Sequence, residues 1–179
     1  MNRKTGLMLL FLSMIVPANA QTGYVNTTTF GFLRGTKSDH RRAPLSFVSE
    51  HHVMITSNLS AGIMTGIEQL QENTLPLAGC VRLQSRGKVH FFCDGYAGYA
   101  VSLEKPDDLY FDYKKAKGGF MAGTGVGFYV PVNDCAAVFF GIGYRYNILH
   151  YELNDYWAGE YKRNYRYNRL SLRMGIMLL

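Results

Sequence analysis

The chain has 179 residues, a formal charge of +6 and a mean hydropathy of −0.08. That length suits one domain, and the hydropathy is too low for a helical membrane protein. Gly 19, Tyr 13 and Phe 11 favour β structure with aromatic belts, but composition does not separate a soluble barrel from a membrane one, in which only alternate residues meet lipid.

The first twenty residues read as a secretory signal. Arg3 and Lys4 supply the positive start, Leu7 to Val16 the apolar core, and Ala18-Asn19-Ala20 a small-residue cleavage site. An apolar core of that length is too short to span a bilayer. Cleavage leaves a domain over 21–179 and, by loss of Arg3 and Lys4, takes the charge from +6 to +4. Cys80, Cys93 and Cys135 follow; an odd count leaves at least one unpaired, and their spacing matches no zinc pattern.

Eight strand-like runs fill the rest. The first, 24–34, sets Phe30 and Phe32 against Thr27, Thr29 and Gly31. The second, 45–56, has Phe47, Val53 and Ile55 on one parity. Ser49 and His51 interrupt that parity, which is consistent with a bulge. The third, 59–70, and fourth, 75–84, alternate Leu59, Ala61, Ile63, Ile67 and Leu75, Leu77, Val81, Leu83 with smaller or polar residues. Ser85-Arg86-Gly87 reads as a three-residue hairpin loop with a left-handed glycine. The fifth run, 88–103, then directs Cys80 and Cys93 to opposite faces, so no disulfide joins them. A long loop, 104–117, leads to the sixth run, 118–130, and a tight turn to the seventh, 136–151. A second long loop, 154–166, leads to the eighth. There Leu170, Leu172, Met174, Ile176 and Leu178 alternate with Arg169, Ser171, Arg173 and Gly175.

An apolar strand at the end of a chain makes sense if it closes a barrel against the first strand with lipid outside. Tight turns follow the second, fourth and sixth runs and longer loops the first, fifth and seventh, with a short connection after the third, as in an antiparallel meander with periplasmic termini. The prolines Pro44, Pro76, Pro106 and Pro131 fall at strand ends or in loops. The expected architecture is all-β: an eight-stranded, antiparallel, up-and-down transmembrane barrel.

A soluble barrel with apolar side chains inward is the competing reading. The second parity decides against it. That parity carries Gly62, Gly66, Gly123, Gly125, Gly127, Gly141 and Gly143, which make room in a narrow barrel. It also carries Glu50, Glu68, Arg82, Asp94, Arg145, Arg169 and Arg173. Buried charges must be paired, so Glu50, Glu68, Arg82, Asp94, Arg145 and Arg173 are expected to form an interior network, with Arg169 near the wet rim. Eight strands leave an interior just filled by side chains. Tyr99, Tyr144, Tyr146, Tyr151, Tyr156, Trp157, Tyr165 and Tyr167 cluster toward the long-loop ends, as rings of a headgroup belt would.

The whole pattern resembles the small outer-membrane barrels, a group that includes outer-membrane protein X and the membrane domain of outer-membrane protein A. The runs TTTFGFLRGT, PLSFVSEHH, TGIEQL, KKAKGGF, GIGYRYN and YNRLSLRMGI look most like the porin-family barrels of the Bacteroides group of Gram-negative bacteria. The resemblance implies outer-membrane localisation. It also implies outer-membrane lipids and lipopolysaccharide as neighbours, delivery by the barrel assembly machinery, and a monomer. Many such barrels end in an aromatic residue; here the last residue is Leu179.

Three activities can be weighed. A non-enzymatic barrel would act through loop cations: Lys37, Arg41 and Arg42; Lys105, Lys114, Lys115 and Lys117; Lys162, Arg163 and Arg166. Cations beside headgroup phosphates gain charge-assisted hydrogen bonds. A lipid A deacylase resembles a His-x-Ser-Asn run late in the seventh strand; here His150 is followed by Tyr151 and Glu152, with no serine nearby. A narrow channel is opposed by the interior arginines. The expectation is a non-enzymatic surface-binding barrel. No cofactor is expected, since no phosphate loop, nucleotide fingerprint or metal-ligand cluster occurs. His51 and His52 point to opposite faces and cannot share a metal easily. A charge of +4 gives no reason to expect nucleic acid.

Overall fold

The computed structural model describes residues 23–35, 44–69, 73–103, 107–109, 112–155 and 159–179. These form nine strands: β1 Tyr24–Gly35, β2 Leu45–Met54, β3 Leu59–Gln69, β4 Asn73–Gln84, β5 His90–Ser102, β6 Asp107–Leu109, β7 Asp112–Asn133, β8 Ala136–Asp155 and β9 Gly159–Leu178. Neighbours pair antiparallel in chain order, except that β5 pairs with β7 and the short β6 lies only along the start of β7. β1 pairs with β9, from Asn26↔Leu178 to Gly35↔Arg169. The result is a closed eight-stranded antiparallel barrel, closed by the last strand against the first, as the terminal alternation required.

The faces are those expected. Ile63 is 65% exposed and Phe91 64% exposed on the outside, whereas Arg82 and Glu68 are each 1% exposed within. A surface so rich in exposed aliphatic and aromatic side chains suits hydrocarbon, not water, which rejects the soluble reading. Two apolar clusters fill much of the interior. One contains Leu33, Val48, Met64, Tyr96, Met121, Leu149 and Tyr151. The other, toward the tight-turn end, contains Phe92, Tyr129, Ala137, Phe139 and Met177.

Several expectations need correction. The two stretches read as long loops are largely strand. β7 already runs from Asp112, and β8 and β9 continue to Asp155 and back from Gly159 in unbroken pairing. This three-stranded extension rises beyond the ends of β5 and β1. Where it leaves the barrel wall, the β7–β8 register shifts between Ala116 and Gly118, and Gly118 takes φ +79°, a left-handed conformation that favours glycine. The β4–β5 turn is also longer than three residues, since β4 ends at Gln84 and β5 starts at His90; Gly87 within it takes φ +143°. Finally, β2 has no bulge. Its registers with β1 and β3 are continuous through Ser49 and His51, so both side chains lie on the outward face. Cys80 is buried and Cys93 exposed, on opposite faces as read.

The aromatic belt is thinner than expected. Tyr99 and Tyr144 are exposed on the outer wall, but Tyr151 is buried inside, with Tyr165 and Tyr167 packed against the same interior cluster. Odd-numbered residues of β8 face inward, and Tyr151 shares parity with Arg145. Tyr156 and Trp157 lie outside the described residues.

Candidate functional site

The charged interior is built by register. Arg82 of β4 and Asp94 of β5 are directly opposite, and inward parity sends both side chains into the lumen with Glu50 of β2 and Arg173 of β9. Arg82 Nη2 donates to Glu50 Oε2, and Nη1 donates to Thr27 Oγ1 at 2.9 Å. Arg173 Nη2 contacts both Asp94 oxygens, at 2.9 and 3.0 Å. The ring of charges closes through Arg173 Nη1–Glu50 Oε1 at 3.7 Å and Arg82 Nη2–Asp94 Oδ2 at 3.9 Å. Alternating signs around a ring let each ion face two counter-ions in a low-dielectric space. Aromatic faces complete the shell: Arg82 lies 5.0 Å from the Phe92 ring centre and Arg173 5.8 Å from that of Phe139. Gly125 makes the room. A Cβ there would collide with Arg173 Nη2 and lie 2.9 Å from Asp94 Oδ1.

Glu68 and Arg145 form a second group. Arg145 Nη2 donates to Glu68 Oε2 at 2.5 Å, and Ser46 Oγ donates to Glu68 Oε1 at 3.1 Å. Arg145 Nε donates to Asn147 Oδ1 at 3.1 Å, and its guanidinium sits 4.9 Å from the Tyr96 ring centre. The six residues expected to form one network therefore make two balanced sets, each with equal numbers of acids and arginines. A void of about 20 Å³, lined by Glu50, Glu68, Arg145 and Arg173 among others, lies between them. It has room for about one water molecule. Arg169 is buried rather than wet, 5.2 Å from the Tyr167 ring centre. His52, which is absent from the expected network, joins the interior charges: its Nε2 lies 3.2 Å from Glu50 Oε2. Its shared parity with Glu50 was the available clue. His51 faces outward, so the two rings do diverge.

The basic residues fall at the other end. Lys114, Lys115 and Lys117 lie on β7, and Lys162, Arg163 and Arg166 on β9, so they decorate the strand extension rather than loops. Lys162 and Arg166 are exposed. Glu152 of β8 faces this group, with Lys117 Nζ at 2.7 Å and Lys162 Nζ at 4.0 Å. Arg41 and Arg42 lie outside the described residues. At the run where Glu152 stands in place of the deacylase serine, His150 Nδ1 is 2.7 Å from Asn164 Oδ1, and Glu152 is held by lysine.

No protein-family model and no curated protein matches the sequence. Solved structures do match in fold. The outer membrane protein OprG from Pseudomonas aeruginosa superposes with a TM-score of 0.65 at 10% identity, over 87% of this chain and 95% of that one. Neisserial surface protein A gives 0.60 at 10% identity, over 88% and 97%. Outer membrane protein AlkL, solved in lipid bilayers, gives 0.58 at 11% identity, over 90% and 93%. The chain thus has the fold of the small eight-stranded outer-membrane β-barrels.

Proposed function

We propose that the protein is a monomeric integral outer-membrane barrel that does not conduct and acts through the cations at its far end. On the runs quoted above we group it with the porin-family barrels of the Bacteroides group, exported with cleavage after Ala20 and inserted by the barrel assembly machinery. The observation that supports the role most directly is the β7–β9 extension. It carries Lys117, Lys162 and Arg166 past the apolar wall, at the end opposite the tight turns. In a barrel with short periplasmic turns, that end meets the outer leaflet, where lipopolysaccharide phosphates accept charge-assisted hydrogen bonds. This role needs no reaction and no cofactor. The test is binding of purified protein to lipopolysaccharide at low and high salt. Saturable binding that weakens with salt supports the reading, and salt-independent or absent binding rejects it.

A further inference from the structure

The outward face of the β7–β9 extension is ordered in rows. Glu152 of β8 stands opposite Lys162 of β9, His150 opposite Asn164, Ile148 opposite Arg166 and Tyr146 opposite Asn168. In the outermost of these rows Glu152 offsets two cations, with Lys117 Nζ at 2.7 Å and Lys162 Nζ at 4.0 Å. In the next row His150 Nδ1 lies 2.7 Å from Asn164 Oδ1. An amide oxygen only accepts, so Nδ1 carries the proton and the neutral ring keeps a bare lone pair on Nε2. The ring reaches from β9 across to β7, where a Cβ at Gly119 would lie 3.2 Å from its Cδ2. One row nearer the wall, exposed Arg166 has no counter-ion among the described residues. The rows beneath mark the edge of the apolar wall. The Tyr144 hydroxyl donates to Asn168 Oδ1 at 2.5 Å, and Leu170 and Leu172 below are exposed. Arg166 stands two rows above Leu170 on the same face. That is about 13 Å along a strand, or about 9 Å along the membrane normal at a tilt near 45°, which reaches the headgroup layer.

We propose that Arg166, Asn164 and His150 seat a phosphate monoester of lipid A, and that protonation of His150 tightens the seat. This names the group recognised and its regulation, and it rests on the lipopolysaccharide role proposed above. Arg166 supplies a planar fork of donors with a permanent charge, which matches phosphate oxygens. Asn164 Nδ2 is a neutral donor beside it. Neutral His150 offers Nε2 only as an acceptor, which an ionised phosphate oxygen cannot use. The imidazolium offers a second N–H and a full charge. The charged groups that face this ring among the described side chains are Lys117 of β7, Glu152 of β8, and Lys162 and Arg166 of β9. Of these side-chain types only imidazole ordinarily changes charge between about pH 5.5 and 7.5. The phosphate itself works against the effect, because its second ionisation, near about pH 6, removes negative charge on acidification. Tighter binding in mild acid therefore comes from the protein and not from the ligand.

The experiment titrates the full chain in detergent micelles with bisphosphorylated lipid A, with the same lipid A after phosphatase treatment, and with inorganic phosphate. Each titration is run at about pH 5.5 and about pH 7.5 and at constant ionic strength. The wild type should bind bisphosphorylated lipid A about three- to fivefold tighter at the lower pH, the size of one exposed ion pair. His150→Gln should lose that gain, and Arg166→Gln should weaken binding at both pH values, with heat-modifiable migration showing each variant folded. The imidazole NMR signals of His150 should shift on addition of bisphosphorylated lipid A and stay in place with the phosphatase-treated lipid. A pH gain that persists in His150→Gln, or is missing from a wild type that binds, would overturn the switch and leave the lipopolysaccharide role standing. Equal affinity for phosphatase-treated lipid A would overturn the phosphate seat. Inorganic phosphate bound as tightly as lipid A would overturn the lipid assignment in favour of a free phosphate. Absence of lipid A binding at both pH values would overturn the headgroup role and this inference with it.

Discussion

Glu68 and Arg145 illustrate how single residues hold this barrel. Each is nearly fully buried, and they meet at 2.5 Å. Replacing Arg145 with Met would leave the Glu68 carboxylate in the lumen without its guanidinium. Equilibrium unfolding in lipid vesicles should show a loss of about 3–5 kcal/mol, and adding Glu68→Gln to the same variant should recover part of it. On the opposite parity, Ile142 is 53% exposed on the outer wall. Ile142→Arg should cost about 2–4 kcal/mol in the same assay if that position lies at mid-bilayer. Glycine substitutions rank by what their new methyl meets. At Gly141 the nearest atoms are 3.3 Å away, Phe92 Cζ and Val126 O. At Gly125 the methyl enters the Arg173–Asp94 pair. Gly125→Ala should therefore destabilise more than Gly141→Ala, a difference the unfolding midpoints will show. The identity of the inward charges was legible from parity. Their partners were not, because which acid meets which arginine depends on register between strands distant in sequence, as Glu68 and Arg145 are.

Among the elements, β7, β8 and β9 depart most from what alternation indicates. Period-two reading detects a strand only when one face is apolar. The stretches around Lys114 and Lys162 rise above the apolar wall, where polar residues suit both faces, so their sequence looks like loop. Their backbone is nonetheless paired, from Asp112↔Asp155 onward. Lys162 and Arg166 are exposed on this extension. The double variant Lys162→Glu, Arg166→Glu should weaken lipopolysaccharide binding about tenfold at low salt and far less at high salt, since exposed charges are screened over about 10 Å at 0.1 M. β2 errs in the other direction. Ser49 and His51 break the apolar parity without breaking the ladder, because Asn26, Tyr24 and each other satisfy their polar atoms.

At the scale of the molecule, a ring of eight strands closed by β1 and β9 leaves no open edge in the barrel wall below the β7–β9 extension. Such a barrel should run faster on a gel unheated than boiled, and deletion of β9 should abolish that shift. With a void of about 20 Å³ between its two charged groups, it should give no stable single-channel current in a planar bilayer; sustained conductance would show that the ion pairs part. By itself, the sequence determined the sidedness and the topology: side-chain direction alternates strictly along any strand, so Leu170, Leu172 and Met174 facing one way forces Arg169, Ser171 and Arg173 to face the other. Only the tertiary structure decided how the interior charges divide into two sets, how far β7 to β9 extend, and that Ser49, His51 and Asn26 meet on one wall. Those outcomes depend on interstrand register and on pairing between wet faces, and neither leaves a periodic trace in a single strand.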